Sequence, residues 1–522
     1  MAPGGRLGKL VLLAGTSGVD VDAVLSLARE LAESGVIPGR VGVVKFEDLI
    51  TSRLLAHITS VLRYFIESRP SALEHFYEAY EALRSQVEGE GYDTLFLAAH
   101  LSYMVEGHLI PNPVLGRILG LAREATVIYY VEDYYDALDR IRRRSGDLQD
   151  LLASFNIDPI TYLEWRGLDH NLLGLLSSMH DNVETIIFGV KHPRETHERL
   201  LAYAAQPRGR ARRILHPAYF SHPITYYRRV YALQGASSSG ASIGGLRGVR
   251  RLEEIKEELR RRIPSLVLFE PTTIDEILED PPALVAEAAG CRDSCRGDLG
   301  SEPALTPLVT ASNRWPLPPG VLHGDYAYAS GGALNVVGEE FESLYGVDTL
   351  ASLRESFCPR QCRGGPGGCP GVEASRLKRL IDLQVRIRDY EYVAQSSLLI
   401  AATIVYLARD GSGWRAYLVR SHGMEAELRR AQALGRPVYL LVDVIDLEDP
   451  GDPEVSLARG SGLLLECSLP YTSSPREARA LAPQRCVHEL GRAGPFTLNV
   501  NIVNLGLVPL KSFADALNSL VK

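Results

Sequence analysis

The sequence predicts an α/β protein of two modules: a mostly parallel-sheet domain over residues 1–206, then a second Rossmann-like α/β domain over residues 212–522. Three observations predict it. Short apolar runs suited to buried strands alternate with longer amphipathic stretches, the signature of a parallel sheet covered by helices. A basic Pro/Gly stretch, Gln206-Pro-Arg-Gly-Arg, breaks that alternation before a new strand begins. A third stretch, at about 280–371, is rich in Cys, Gly and Pro and reads as an irregular insertion in the second domain.

In the first module, strands are expected at 10–13, 41–44, 94–98, 127–131 and 185–190, with an amphipathic helix at 23–31. The second module is expected to use strands at 218–221, 265–269, 398–406, 437–442 and 497–503. Its helices are expected at 252–262, 375–395 and 423–434, with a closing helix from Ser512. A Gly/Ser segment at 235–245 reads as a loop.

Composition narrows the function classes. The 522 residues are 46% hydrophobic and 23% charged, as expected of a chain that folds around a core. A formal charge of −8, spread along the chain, gives no basic footprint and argues against binding extended nucleic acid. The arginines at 140–144 and 260–262 fall on helical patterns and read as solvated faces. No apolar run reaches the roughly 18–20 residues that cross a bilayer, so the expectation is a cytoplasmic protein with no membrane partner. Among the seven cysteines, Cys291, Cys295, Cys358 and Cys362 are spaced to hold a structural Zn, with free thiols or structural disulfides as the alternatives.

Chemistry concentrates in two places. Between the first strand and helix lies Gly15-Thr16-Ser17-Gly18, a turn whose backbone N–H groups suit a phosphate. The Lys and Ser/Thr that a working P-loop needs are replaced by Val21 and Asp22, and Asp20 stands where a second glycine belongs. In the second half, Ser421-His-Gly423-Met-Glu-Ala-Glu427 opens a helix after an apolar strand. Ser421 and Gly423 at the helix start are candidates for holding a phosphate, with Glu427 facing the same crevice.

The first two hundred residues resemble archaeal-type adenylate kinases. The resemblance rests on the Gly15–Gly18 turn, Lys45-Phe-Glu-Asp48, Phe96-Leu-Ala-Ala-His100, Gly107-His-Leu-Ile-Pro111, and Tyr129-Tyr-Val-Glu-Asp133 leading to Asp139-Arg-Ile-Arg-Arg-Arg144. It implies a P-loop-kinase-like domain, here with a degenerate loop, serving as a nucleotide sensor or structural partner or retaining residual monophosphate kinase activity. The second half resembles the nucleoside 2-deoxyribosyltransferase-like family, which includes nucleoside 5′-monophosphate N-glycosidases. The matching residues are Phe220-Ser-His-Pro-Ile-Thr225, Arg388-Asp389, Ser421 through Ala431, and Gly435-Arg-Pro-Val438. The resemblance implies a flavodoxin-like domain that handles a nucleoside or nucleotide, needs no cofactor and forms a homodimer. It makes Glu427 the nucleophile toward the anomeric carbon, Tyr219 its positioning partner and Asp389 a sugar or base contact. Ser221, Arg228, Arg229, Ser421 and Gly423 become substrate or phosphate contacts. The family often places an Asp where this chain has Ser397, and an impaired, purely nucleotide-sensing protein is the alternative reading.

Overall fold

The computed structural model describes residues 7–54, 68–105, 108–132, 137, 159–207, 215–223, 247–271, 308–309, 327–328, 371–410, 413–447, 464–470, 474–492 and 500–521. They fall into two compact units. The first takes the described residues up to 207 and a later stretch ending at Gln384; the second takes 215–328 and everything from Val385 onward.

The first unit opens with β1 (Leu7–Gly15), buried at every position but one, as a strand between helical layers must be. Helix α1 (Val21–Glu33) follows, capped by Asp20, whose side chain accepts the Ala23 N–H. Its Val24, Leu25, Leu27, Ala28 and Leu31 form one buried stripe, the three-and-four spacing of a helix lying on a sheet. The chain continues through β2 (Val41–Lys45), α2 (Phe46–Leu54), α3 (Arg69–Glu90) and β3 (Thr94–Ala98). Pro70 in the first turn of α3 and a left-handed Gly91 at its end bound that helix. A hairpin of β4 (Ser102–Val105) and β5 (His108–Pro111) precedes α4 (Leu115–Leu119), β6 (Ala122–Val131), α5 (Pro159–Met179), β7 (Val183–Gly189) and α6 (Arg194–Ala205). The five-stranded sheet is parallel throughout, in the order β2-β3-β1-β6-β7. Strand β1 is central, so the 15–20 loop lies at the C-terminal edge of the sheet with the ends of β3 and β6 on either side.

The second unit contains β8 (His216–Ser221), α7 (Arg247–Arg262) and β9 (Leu266–Phe269), then a short pair, β10 (Leu308–Val309) with β11 (Ala327–Tyr328). Helix α8 (Gly371–Gln395), which belongs to the second unit from Val385 onward, leads into β12 (Leu398–Asp410), β13 (Gly413–Val419), α9 (His422–Ala433) and β14 (Val438–Leu447). The last elements are β15 (Leu464–Ser468), α10 (Pro475–Arg492), β16 (Asn501–Asn504) and α11 (Leu510–Val521). Five strands run parallel in the order β9-β8-β12-β14-β16. Along one edge of β12, Leu398–Ala401 pair with β8 and Val405–Asp410 pair with the antiparallel β13. The C-terminal ends of β8 and β13 therefore face each other across residues 402–404.

Strand alternation sorts the side chains of β8. Ala218 and Phe220 point to the face where Leu252, Ile255 and Leu259 of α7 and Phe513, Ala514 and Leu517 of α11 complete the core. Tyr219 and Ser221 point to the opposite face, where Tyr392 of α8 lies 5.9 Å, ring to ring, from Tyr219.

Several details depart from expectation. Helix α9 starts one residue earlier than the apolar pattern suggests because Ser421, in extended conformation, caps it. Strands β13 and β15 and helix α10 carry mixed patterns that did not mark them in the sequence. A disulfide joins Cys467 of β15 to Cys486 of α10, with Cα atoms 5.2 Å apart, and neither cysteine belongs to the proposed zinc set. Cys291, Cys295, Cys358 and Cys362, the Gly/Ser segment and the arginines at 140–144 lie outside the described residues. Among the described residues no helix is long and apolar enough to cross a membrane.

At the end of β9, the fully buried Glu270 carboxylate sits between two buried cations of α7, Lys256 at 3.3 Å and Arg260 at 3.5 Å. Removing one member of such a cluster strands uncompensated charge in the core. Glu270→Ala is expected to cost about 3–5 kcal/mol of unfolding free energy, read by denaturant titration.

Candidate functional site

The convergence of β8 and β13 sets the site. Thr403 Oγ1 donates to the Val419 carbonyl at 3.0 Å, pinning the end of β13 to β12. Two residues on, Ser421 accepts the Met424 N–H and starts α9 above the end of β8. Glu427, in the second turn of α9, then reaches back to the outward face of β8. Tyr219 Oη donates to Glu427 Oε1 at 3.0 Å, and Ser221 Oγ donates to Oε2. Tyr219 and Ser221 are two residues apart on one strand, the separation at which both face the same way.

Glu427 is only 7% exposed, unlike a solvated helix glutamate. Burial and the neighbouring Asp389 carboxylate push its pKa up to about 8, against the opposing pull of the Ser221 and Tyr219 hydrogen bonds and the Arg388 charge. Burial, with Asp389 and Glu427 nearby, raises the Tyr219 phenol well above its usual value, so it remains a donor. Asp389 itself is paired with Arg388, whose Nε and Nη2 lie 2.9 and 2.8 Å from Asp389 Oδ1. Arg388 also lies over the Tyr392 ring, 5.9 Å from its centroid. Two carboxyl groups thus share one neighbourhood, one matched to a guanidinium and the other held by hydroxyls.

Of the residues expected at the site, Glu427, Tyr219 and Ser221 meet directly, and Asp389 is close enough to shift the Glu427 proton. Ser421 and Gly423 stand at the start of α9, where the Ser421 hydroxyl oxygen is occupied as a helix cap. Arg228 and Arg229 lie outside the described residues. Ser397 donates to the Pro217 carbonyl at 2.9 Å, beside the first residues of β8. It is four positions, about 13 Å along the strand, from Ala401, the partner of Ser221. The contribution of Arg388 escaped sequence reading, because an Arg-Asp pair on a helix also reads as a surface ion pair. The buried Glu425, held by Arg420 at 2.7 Å and Arg429 at 3.7 Å, fixes the first turn of α9 and likewise gave no signal.

In the first unit the Gly15–Gly18 loop makes its own contacts. Gly18 has φ 90°, a conformation that disfavours side chains, and a Cβ at Gly15 would meet the Tyr130 carbonyl oxygen at 3.0 Å. Thr16 Oγ1 lies 2.5 Å from Tyr162 Oη and Ser17 Oγ lies 3.2 Å from His100 Nε2. Asp22, in the first turn of α1, is engaged by Lys45 at 2.6 Å. No group of three or more metal-ligating side chains occurs among the described residues. No known family model matches the chain, and no curated protein sequence matches it.

The Glu427 proton has a consequence for stability. Its pKa in the folded protein, about 8, lies above the ordinary 4.5, so between these values the folded state retains a proton that the unfolded state releases. The stabilisation is complete below pH 4.5 and is lost as pH rises through 8. Glu427→Gln keeps the buried group neutral at every pH. The wild-type unfolding free energy, measured at fixed ionic strength, is therefore expected to fall relative to that of the variant across this interval.

Proposed function

We propose that the second unit cleaves the N-ribosyl bond of a nucleoside or nucleotide, passing the sugar to water or to another base, with Glu427 as nucleophile. The observation that carries this reading is the buried Glu427 carboxyl, gripped by Tyr219 and Ser221 at the C-terminal end of β8. Numbered along the chain, the parallel strands run 2-1-3-4-5, a flavodoxin-like order in which ligands bind where the direction of winding reverses. That reversal lies between β8 and β12, beside Glu427. This arrangement supports the expected flavodoxin-like domain.

In the proposed reaction a Glu427 oxygen attacks the anomeric carbon and the carbon–nitrogen bond breaks. The base departs with the bonding electrons and takes up a proton. Water, or the nitrogen of a second base, then attacks the glycosyl ester and frees the carboxylate. The oxocarbenium character of both transition states suits a fixed carboxylate. Tyr219 and Ser221 hold the attacking group against rotation. Asp389, paired with Arg388, is the group assigned to the sugar as positive charge develops on it.

Incubation with a panel of nucleosides and nucleoside 5′-monophosphates, followed by chromatography for free base, tests the proposal. Glu427→Ala is expected to lower base release about 10³-fold or more; equal release would exclude the nucleophile role. Because attack needs the ionised group, the rate is expected to rise with pH through about 8. Asp389→Asn removes a like charge, so its rising limb should move to lower pH.

The first unit supports a second, separate reading as a nucleotide-binding module with impaired phosphoryl transfer. Val21 supplies no phosphate-gripping cation, and Asp22 is tied to Lys45. Thermal stabilisation by a nucleotide without turnover is the outcome this reading expects.

A further inference from the structure

The first unit contains a hydroxyl, an imidazole and a carboxylate in sequence. Ser17 Oγ lies 3.2 Å from His100 Nε2, and His100 Nδ1 lies 2.9 Å from Glu47 Oε1. Three elements supply them: Ser17 from the loop after β1, His100 from the segment after β3, and Glu47 from the first turn of α2. They converge because β1, β2 and β3 are parallel neighbours whose C-terminal ends share one edge. Further contacts fix the imidazole. The His100 N–H donates to Glu47 Oε1 at 3.0 Å, Asn112 Nδ2 donates to the His100 carbonyl at 3.0 Å, and Tyr103 stacks on the ring at 5.4 Å. Tyr103 Oη also donates to Glu47 Oε1, at 3.3 Å.

With Nδ1–H donated to the carboxylate, the lone pair of neutral His100 lies on Nε2, directed at the Ser17 hydroxyl. A base within reach of a hydroxyl, itself oriented by a third group, is the arrangement by which enzymes activate serine, whatever the order along the chain. Glu47 and His100 also support each other electrostatically. Burial alone would raise the carboxyl and lower the imidazole, yet the His100 contacts hold Glu47 below its usual value and Glu47 raises His100. A carboxylate that favours the charged imidazole stabilises it once it has taken the serine proton. Ser17 and His100 are only partly buried, so a small substrate can reach both.

We propose that Ser17, His100 and Glu47 form an acyl-transfer site, with Ser17 the nucleophile, His100 the general base and Glu47 the positioning residue. The surroundings indicate the substrate class. Asp20, whose N–H donates to Glu132 Oε2 at 3.4 Å, and Glu132 flank the loop, and Asp22 in the first turn of α1 is paired with Lys45. Asp20 and Glu132 beside Ser17 disfavour a negatively charged acyl group, so the substrate class is an uncharged carboxylic ester. Ser17 Oγ bonds to the acyl carbon while its proton passes to His100 Nε2. The carbon–oxygen bond of the ester breaks and the alcohol leaves with that proton. Water then gives a proton to His100 and its oxygen to the acyl group, restoring Ser17 as the carboxylic acid departs.

The test treats the full-length protein with an uncharged fluorophosphonate and maps the adduct by peptide mass spectrometry, with p-nitrophenyl butyrate hydrolysis followed in parallel. Ser17 is expected to carry the adduct, and Ser17→Ala to lose both adduct and turnover, whereas Ser26→Ala, on the exposed side of α1, retains them. His100→Gln is expected to slow hydrolysis about 10²-fold. Hydrolysis should rise with pH as His100 loses its proton, and Glu47→Gln should move that midpoint downward, a shift that a merely structural role would not produce. Labelling of Ser17 no faster than of Ser26, unchanged turnover in Ser17→Ala, or an unmoved midpoint in Glu47→Gln would overturn the proposal.

Discussion

The second unit depends on one geometric constraint, a strand long enough to serve two partners along a single edge. The 13 residues of β12 give their first four positions on that edge to the parallel β8 and their last six to the antiparallel β13. Chains arriving from opposite directions must end near each other, and helix α9 must begin where β8 stops. The carboxyl of Glu427 is thereby delivered to Tyr219 and Ser221 from a segment more than two hundred residues away in sequence.

Two buried glutamates show how burial and partners together decide protonation. For Glu427, burial and a second carboxylate raise the pKa to about 8, and the hydrogen bonds from its two hydroxyl partners only partly oppose this. Glu47 meets an imidazole, and its pKa falls below the ordinary value although burial pushes the other way. Asp169 is an intermediate case. Burial raises it to about 7, and the hydrogen bonds from Ser102 and Tyr129 do not bring it back to the ordinary carboxylate range. The same chemical group is a proton store in one setting and a fixed negative charge in another. Sequence alone names the group but not the setting.

That limit explains what was legible in the sequence. The central parallel strands were readable as continuous apolar runs: residues 94–98 match β3, and the run at 10–13 lies within β1. Glu427 was readable because Ser421 marks a helix start and Ala431 repeats one turn below it on the buried side. Strand β15 was not, since its exposed Glu466 and Ser468 alternate with Cys467 in a segment too short to stand out. The His100–Glu47 contact was equally hidden. Its members are 53 positions apart, and only the parallel pairing of β2 with β3 brings their ends together.

The charged residues of the first loop set its chemistry as a group. A phosphate loop needs a cation and an anion-accepting turn, and here Lys45 is held by Asp22 while Asp20 caps α1. These contacts oppose a triphosphate by like charge. The loop keeps the feature that a phosphate site and a nucleophile site have in common, a tight turn at Gly15 and Gly18 that presents a side chain at the C-terminal edge of a parallel sheet. With His100 opposite Ser17, the turn presents a hydroxyl to a base. A turn with no phosphate-gripping lysine is therefore compatible with a different chemistry at the same edge of the same sheet.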